Sequence, residues 1–516
     1  MDRRTWMLMA GAGWQQAQLL GQERGTRSAS AEARKRAAAR YFPDDPHRPR
    51  YHFLPPKNWM NDPNGLIFHD GKFHMFYQHN PGAAVWGDMH WGHAMSEDLI
   101  TWMHLPMALA PTPGGYDKDG VFSGCMVVDG DTPTIVYTGT QPEVQAIATS
   151  NHPQLETWTK YEGNPVIPAP PAGMETTGFR DPFVWREGDD CLMVVGSGVK
   201  RKGGSILLYR SPDLRKWEYL HPLVESSDLA LGKMWECPNF FPLGDKHVLL
   251  ISPQPLKKAL YAVGTYADRR FTIERTGSLD DGGHFYAPQV FLDGSNRRVM
   301  FGWSWEGRSR DAQVKAGWAG AMTLPRVLTL DADGALHMEP HPYCRRLLHR
   351  FQRAIRVAPL GADLQAEIDK VGVSGEAGRL DLTILPGDAS QVVLSFYAHA
   401  DGKEETRLVW NREPGELVLD RSKTSLDASQ DKTEFRAPFP LLKNAPLQLT
   451  LYFDRSLVEI YAIGDKGTTC MTTRVYPSRK ESTKLRITAS AKNPSKEVKK
   501  AMVKDLVWRP IKAMVS

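Results

Sequence analysis

One pattern recurs along the chain: an apolar run, a turn that holds glycine, and a second apolar run, the order expected of a β-hairpin. It occurs five times, as LIFHDGKFHMFYQ from Leu66, FSGCMVVDGDTPTIVYTG from Phe122, FVWREGDDCLMVVGS from Phe183, FFPLGDKHVLLIS from Phe240 and QVFLDGSNRRVMFGW from Gln289. The turn glycines Gly71, Gly130, Gly188, Gly244 and Gly294 follow one another at 59, 58, 56 and 50 residues. A weaker repeat lies between them, at Ser96 to Trp102, Ser150 to Trp158 through Leu155, and Ser211 to Trp217. Strands and turns at that period, with little helical patterning, are what four-stranded blades around a central axis require. Five units predict a five-bladed β-propeller over residues 50–338.

Beyond it the pattern changes. Residues 339–355, with Pro340-His-Pro342 and then Tyr343 to Phe351, read as a linker with one short helix. Leu380, Leu382 and Ile384 then alternate with polar neighbours, as do Leu447, Leu449, Leu451 and Phe453, and Pro414-Gly415 marks a turn. Antiparallel sheets with one wet face over residues 356–512 predict a C-terminal β-sandwich, so the whole chain is expected to be all-β.

Composition narrows the function classes. With 41% hydrophobic residues and 15 Trp, 16 Tyr and 19 Phe, the chain is not disordered. The net charge of +5 belongs to residues 1–50, which hold 10 basic and 5 acidic residues; the other 466 are balanced at 54 and 54. A nucleic-acid partner is therefore not expected. Five scattered cysteines offer neither a disulfide framework nor a metal-binding spacing. Arg3-Arg4 before the apolar stretch from Trp6 to Trp14 reads as a degenerate twin-arginine export signal within residues 1–25, followed by a basic linker over 26–49. Export to the periplasm or medium is the expectation, with a cytoplasmic location as the alternative. No membrane span is expected in the mature chain.

Three units place an acid 7 to 9 residues before the turn glycine: Asp62 in Trp59-Met-Asn-Asp-Pro-Asn-Gly65, Asp181 in Phe179-Arg-Asp-Pro182 and Glu236 in Trp235-Glu-Cys-Pro238. The innermost strands of a propeller run in one direction along the axis, so equivalent positions converge at one end of the channel. Taken singly, each motif is as well explained by a turn, a surface ion pair or a loop acid. Three acids in one register, each near a large aromatic and followed closely by Pro63, Pro182 or Pro238, point instead to a shared pocket. Retaining cleavage of a glycosidic bond needs a carboxylate nucleophile and a protonated carboxyl as general acid. Trp59, Trp86, Trp91 and Trp303 offer flat walls for a sugar, and Asn61, Gln78 and Ser123 offer polar partners for its hydroxyls.

These motifs resemble the signatures of glycoside hydrolase family 32, the invertases and fructan hydrolases. Phe122-Ser123-Gly124, Phe76 to Pro81, His90 to Ala94, Phe285-Tyr-Ala287, Leu324-Pro-Arg326 and Phe453 to Ser456 extend the likeness over nearly the whole chain from residue 50. The resemblance implies a five-bladed propeller followed by a β-sandwich, and a retaining β-fructofuranosidase without metal or organic cofactor. It implies Asp62 as nucleophile, Glu236 as acid and base, and Asp181 as transition-state stabiliser. Phe122 is implied as a further sugar contact. Arg180 is expected to keep Asp181 and the nucleophile ionised, while Glu236 must hold its proton. Sucrose is the first expected substrate, with levan and inulin behind it; a fructosyltransferase and a non-catalytic sugar-binding propeller are the rivals, and an oligomer is compatible with the sequence. Two departures stand out. Cys125 replaces a frequent serine, and Asn239, expected on the leaving-group side, replaces a frequent aspartate.

Overall fold

The computed structural model describes residues 45–374, 376–464, 467–493 and 498–511. The expected export signal and most of the basic linker lie outside these residues. Strands dominate, and they group into seven sheets.

Five of the sheets form the blades of a β-propeller. In chain order their innermost strands are Asn58–His69, Gly120–Asp129, Thr176–Glu187, Met234–Leu243 and Tyr286–Leu292, and each is followed outward by antiparallel partners. The five innermost strands touch one another in a ring, the first against the fifth. Closure is reinforced by the short strand Trp318–Ala319, which pairs parallel to the start of the first innermost strand through Asn58 and Trp59.

The hairpin pattern read from the sequence is explained by its turns. Gly71, Gly130, Gly188 and Gly244 all adopt positive φ, which glycine does without a Cβ penalty. The fifth hairpin departs from this, because its left-handed residue is Asn296, while Gly294 is needed for space: a Cβ there would lie 2.7 Å from the Phe68 ring. The weaker repeat is a turn before the outermost strand of the first three sheets. Leu99, Leu155 and Leu214 take positive φ, and the indole N–H of Trp102, Trp158 and Trp217 donates to each leucine carbonyl. The tryptophan thus holds its leucine in a conformation that leucine otherwise avoids.

The remaining two sheets form the sandwich, a six-stranded sheet that includes Leu447–Asp454 and Leu457–Gly464 and a five-stranded sheet that includes Gln391–Ala398 and Glu405–Asn411. Leu380, Leu382, Ile384, Leu449 and Leu451 face inward into one core with Leu394, Leu408 and Trp410. The alternation along these strands is what burying one face requires. The strand Leu336–Pro340 continues past residue 338, and the next begins at Arg353, so the connecting segment reduces to residues 341–352 with a 3-10 turn at Pro342–Leu347. Two helices among the described residues, Arg310–Ala316 and Ala362–Val371, were not foreseen; the second is the longer. It buries only Leu364 and Ile368, four residues apart on one face, and ends at Gly372 in the left-handed region.

Candidate active site

Each innermost strand breaks its ladder at the same level. The register shifts fall between Met60 and Pro63, Phe122 and Gly124, Arg180 and Phe183, Glu236 and Asn239, and Tyr286 and Gln289. A bulge of this kind bends the strand and re-aims side chains. Three of the five interruptions contain proline, at Pro182, Pro238 and Pro288, where a missing N–H leaves no ladder bond unmade, and Pro63 bounds a fourth. The bulges carry Asp62, Ser123, Asp181 and Cys237 and abut Glu236 and Tyr286, so they aim five sheets' worth of side chains at one end of the axis. Asp181 and Cys237 both adopt positive φ, a strained conformation for residues with side chains.

Cys237 marks the convergence. Its backbone N–H donates to Asp181 Oδ2 at 2.9 Å, and its thiol lies 3.5 Å from Asp62 Oδ2 and 3.6 Å from Asp181 Oδ2. Burial, then the charges of Asp181, Asp62 and Glu236, push the Cys237 thiol well above its ordinary range, so it remains a donor. Asp62 Oδ2 also accepts from the Ser123 hydroxyl at 2.6 Å, and Oδ1 from the Asn61 amide at 3.0 Å. Asn61 is oriented in turn by the Trp59 indole, 2.7 Å away.

The electrostatics are those of a crowded acidic pocket. Burial raises Asp62, and the Glu236 charge adds to it, against the hydrogen bonds from Ser123 and Asn61. Burial also raises Asp181; the nearby Arg180 opposes this, and the charges of Glu236 and Asp62 reinforce it. Arg180 thus favours the ionised form of Asp181, as expected, through its charge, while its hydrogen bonds go elsewhere. Its guanidinium grips Glu236 Oε1 through Nη2 at 2.6 Å and Nε at 3.1 Å, and Glu143 Oε1 through Nη1 at 2.7 Å. Glu236 Oε2 accepts from the Tyr286 hydroxyl and the Gln254 amide, both at 2.7 Å.

The aromatic residues divide. Trp59 and Trp303 meet edge to face at 5.6 Å, Trp303 continues to Trp305 at 5.9 Å, and Trp86, 60% exposed, leans edge-on against Phe122 at 6.1 Å. Trp59 connects to Asp62 through Asn61, and Phe122 adjoins Ser123, which donates to Asp62. Trp91 does not join them. It is fully buried between the first two sheets with its indole donating to Phe122 O, so it is core. Gln78 sits opposite the Asn61-Asp62 bulge on the neighbouring strand and ties it to the second sheet through Val121 O at 2.9 Å.

Both departures are structural. Cys125 is buried, with its sulfur accepting from Val184 N. Asn239 is 2% exposed and its polar atoms are committed within the protein: its amide donates to Cys237 O and Pro288 O and its oxygen accepts from Val290 N, stitching the fourth innermost strand to the fifth. An acceptor-only aspartate could not satisfy the two carbonyls. Sequence reasoning missed Glu143, Gln254 and Thr138, whose hydroxyl accepts from Asp181 N, and noted Tyr286 only within a motif.

A larger concavity lies on the sandwich beside Trp410 and Arg412, far from this chemistry. Among the described residues no group of three or more His, Cys, Asp or Glu is arranged to hold a metal ion, and no helix is long and apolar enough to cross a membrane.

This geometry is that of a glycosidase, and comparison with known proteins agrees. Residues 52–340 match the Glycosyl hydrolases family 32 N-terminal domain and residues 353–505 the Glycosyl hydrolases family 32 C terminal domain. The chain belongs to glycosyl hydrolase family 32. It is 35% identical to a sucrose-6-phosphate hydrolase of Escherichia coli, over 84% of this chain and 90% of that one, and 32% identical to an insoluble β-fructofuranosidase isoenzyme of Arabidopsis thaliana, over 84% and 86%. Among solved structures, fructan 1-exohydrolase IIa of Cichorium intybus superposes with a TM-score of 0.78 at 27% identity, covering 91% of this chain and 98% of that one. A β-fructofuranosidase mutant of Bombyx mori in complex with sucrose superposes with a TM-score of 0.74 at 29% identity, covering 95% and 99%.

Proposed function

We propose that the chain is a retaining β-fructofuranosidase that releases fructose from sucrose. The observation that carries this reading is the meeting of Asp62, Asp181 and Glu236 at one end of the axis, with Cys237 in contact with two of them and Glu236 acting on both through its charge. An Asp62 oxygen attacks the anomeric carbon of the fructosyl unit, while Glu236 gives its proton to the glycosidic oxygen and the glucose moiety leaves. Glu236, now a carboxylate held by Arg180, Tyr286 and Gln254, then takes a proton from water, whose oxygen displaces Asp62 and frees fructose. Asp181 accepts hydrogen bonds from sugar hydroxyls that tighten as positive charge develops on the ring. Asn61, Ser123, Trp59, Trp303, Trp86 and Phe122 line the approach, and Gln78 supports the Asp62 bulge from behind.

Relatives named as sucrose-6-phosphate hydrolases, at 35 to 36% identity, support a second reading in which the sucrose carries a phosphate. The test is release of reducing sugar from sucrose, sucrose 6-phosphate, inulin and levan in parallel, with Asp62→Ala as the blank. Fastest cleavage of sucrose with a silent blank is expected, Asp62→Ala losing at least about a thousandfold in kcat; products longer than the substrate would move the reading to fructosyl transfer. Action after export through the Arg3-Arg4 leader belongs to the same proposal, and N-terminal sequencing of the protein from its host tests it.

A further inference from the structure

Glu143 is a charged residue in the pocket to which the reaction gives no task. It stands at the turn between the second-sheet strands Thr132–Thr140 and Val144–Thr149 and reaches across to the third sheet. One carboxylate oxygen accepts from Arg180 Nη1 and the other from the backbone N–H of Phe179. The same guanidinium holds Glu236 through Nη2 and Nε. A single cation is thus shared by two carboxylates from different sheets, with side chains only 17%, 23% and 14% exposed for Arg180, Glu143 and Glu236.

This sharing matters because Glu236 has two opposed tasks. Four donors converge on it, Arg180 Nη2 and Nε, Tyr286 and Gln254, and all of them favour the carboxylate that the second half-reaction uses. The first half-reaction needs the proton on it. We propose that Glu143 is a positioning residue that anchors Arg180 and divides its charge, so that Glu236 can take up its proton while the guanidinium stays in place. The inference rests on the reading of Glu236 as acid and base.

The groups facing Glu236 come from every blade around it: Asp62 from the first sheet, Glu143 from the second, Arg180 and Asp181 from the third, Cys237 and Gln254 from the fourth and Tyr286 from the fifth. Four of them, counting Glu236 itself, are carboxylates against one guanidinium. Uptake of one proton relieves that excess of negative charge. Removing Glu143 lessens the excess and gives Arg180 wholly to Glu236, and both changes disfavour uptake.

The experiment compares wild type, Glu143→Gln and Glu143→Asp in two ways: kcat/KM on sucrose against pH, and infrared titration of the carboxyl band assigned to Glu236 by its absence in Glu236→Gln. Glu143→Gln is expected to move the alkaline limb down by on the order of half a pH unit or more, with kcat at the optimum within about threefold of wild type, and the band should move with it. Glu143→Asp, which keeps the charge, should restore the wild-type limb. An unmoved limb and band, with activity lowered evenly at all pH values, would overturn the proposal by making Glu143 a structural brace. If wild type refuses sucrose and fructans alike, the function proposed above falls, and the infrared titration alone still decides the role of Glu143.

Discussion

Where the propeller meets the sandwich, Glu459 is fully buried and saturated with donors: His52, Leu324 N, two nitrogens of Arg326 and the Tyr461 hydroxyl. Beside it Asp454 accepts His52 Nδ1 and the backbone N–H groups of Arg50, Tyr51 and His52, and Asp280 accepts Arg326 Nη1 and Thr472. Burial alone would raise Glu459, but Arg326 and His52 outweigh it and hold the carboxyl down to about 2. At the axis the same kind of group has the opposite fate. Asp62 and Asp181 are raised by burial and by the charge of Glu236, and Arg180, whose hydrogen bonds go to Glu236 and Glu143, opposes the rise of Asp181 without cancelling it. The difference teaches how burial is used. A buried carboxylate given enough donors is a structural clamp, and one left short of them stores the electrostatic tension from which acid and nucleophilic chemistry are made.

The comparison breaks most visibly at Arg326. Arg326→Met would leave Glu459 and Asp280 buried without their cation, and a loss of about 3–5 kcal/mol is expected in denaturant unfolding. The axis should respond in the other sense. A carboxyl whose folded-state pKa is raised binds its proton more tightly in the folded chain than in the unfolded one, so its burial costs stability once pH exceeds the ordinary carboxylate range near about 4. Asp181→Asn is therefore expected to raise Tm at pH 7 while lowering kcat about a hundredfold, with a smaller change in KM. A fall in both Tm and kcat would place Asp181 among the clamps.

His52 sharpens the contrast through pH. Burial opposes its charge, but Asp454 and Glu459, one on each ring nitrogen, raise it overall, and Tyr51 stacks on it at 4.7 Å. Its contribution is then fully present below about 6.5, the unfolded value, and fades as pH rises through the higher folded value. Glu459 acts at the other end, where stability is lost as pH falls from its ordinary 4.5 toward about 2. His52→Gln should lose roughly 1.5–3 kcal/mol at pH 6 and much less at pH 9, read from unfolding curves at the two pH values. The smallest effect is expected at Asn239, an axial residue that behaves like the interface. Asn239→Asp should lose about 1–2 kcal/mol by setting a carboxylate against two carbonyls, and leave the order of substrate preference unchanged.

Much of the axis was legible in the sequence, because a propeller converts equal register into spatial convergence. Asp62, Asp181 and Glu236 could be aligned from their distances to the turn glycines. Glu143 and Gln254 could not, since they come from turns and strand ends whose reach across blades depends on how the sheets pack. Trp91 and Asn239 misled for a related reason: residue type suggests a sugar wall or a leaving-group contact, while burial and partners decide otherwise. The interface was the least legible part. His52 and Glu459 are 407 residues apart, and nothing local in either segment marks them as partners.

The most direct test of the account is to trap the fructosyl enzyme. Glu236→Gln should still be fructosylated by fructosyl fluoride, whose leaving group needs little protonation, but should be slow to activate water. Rapid quenching and peptide mapping are expected to find one fructosyl unit esterified to Asp62. An adduct on Asp181, or none while wild type turns the same substrate over, would contradict the assignment of Asp62 as the uncompensated nucleophile.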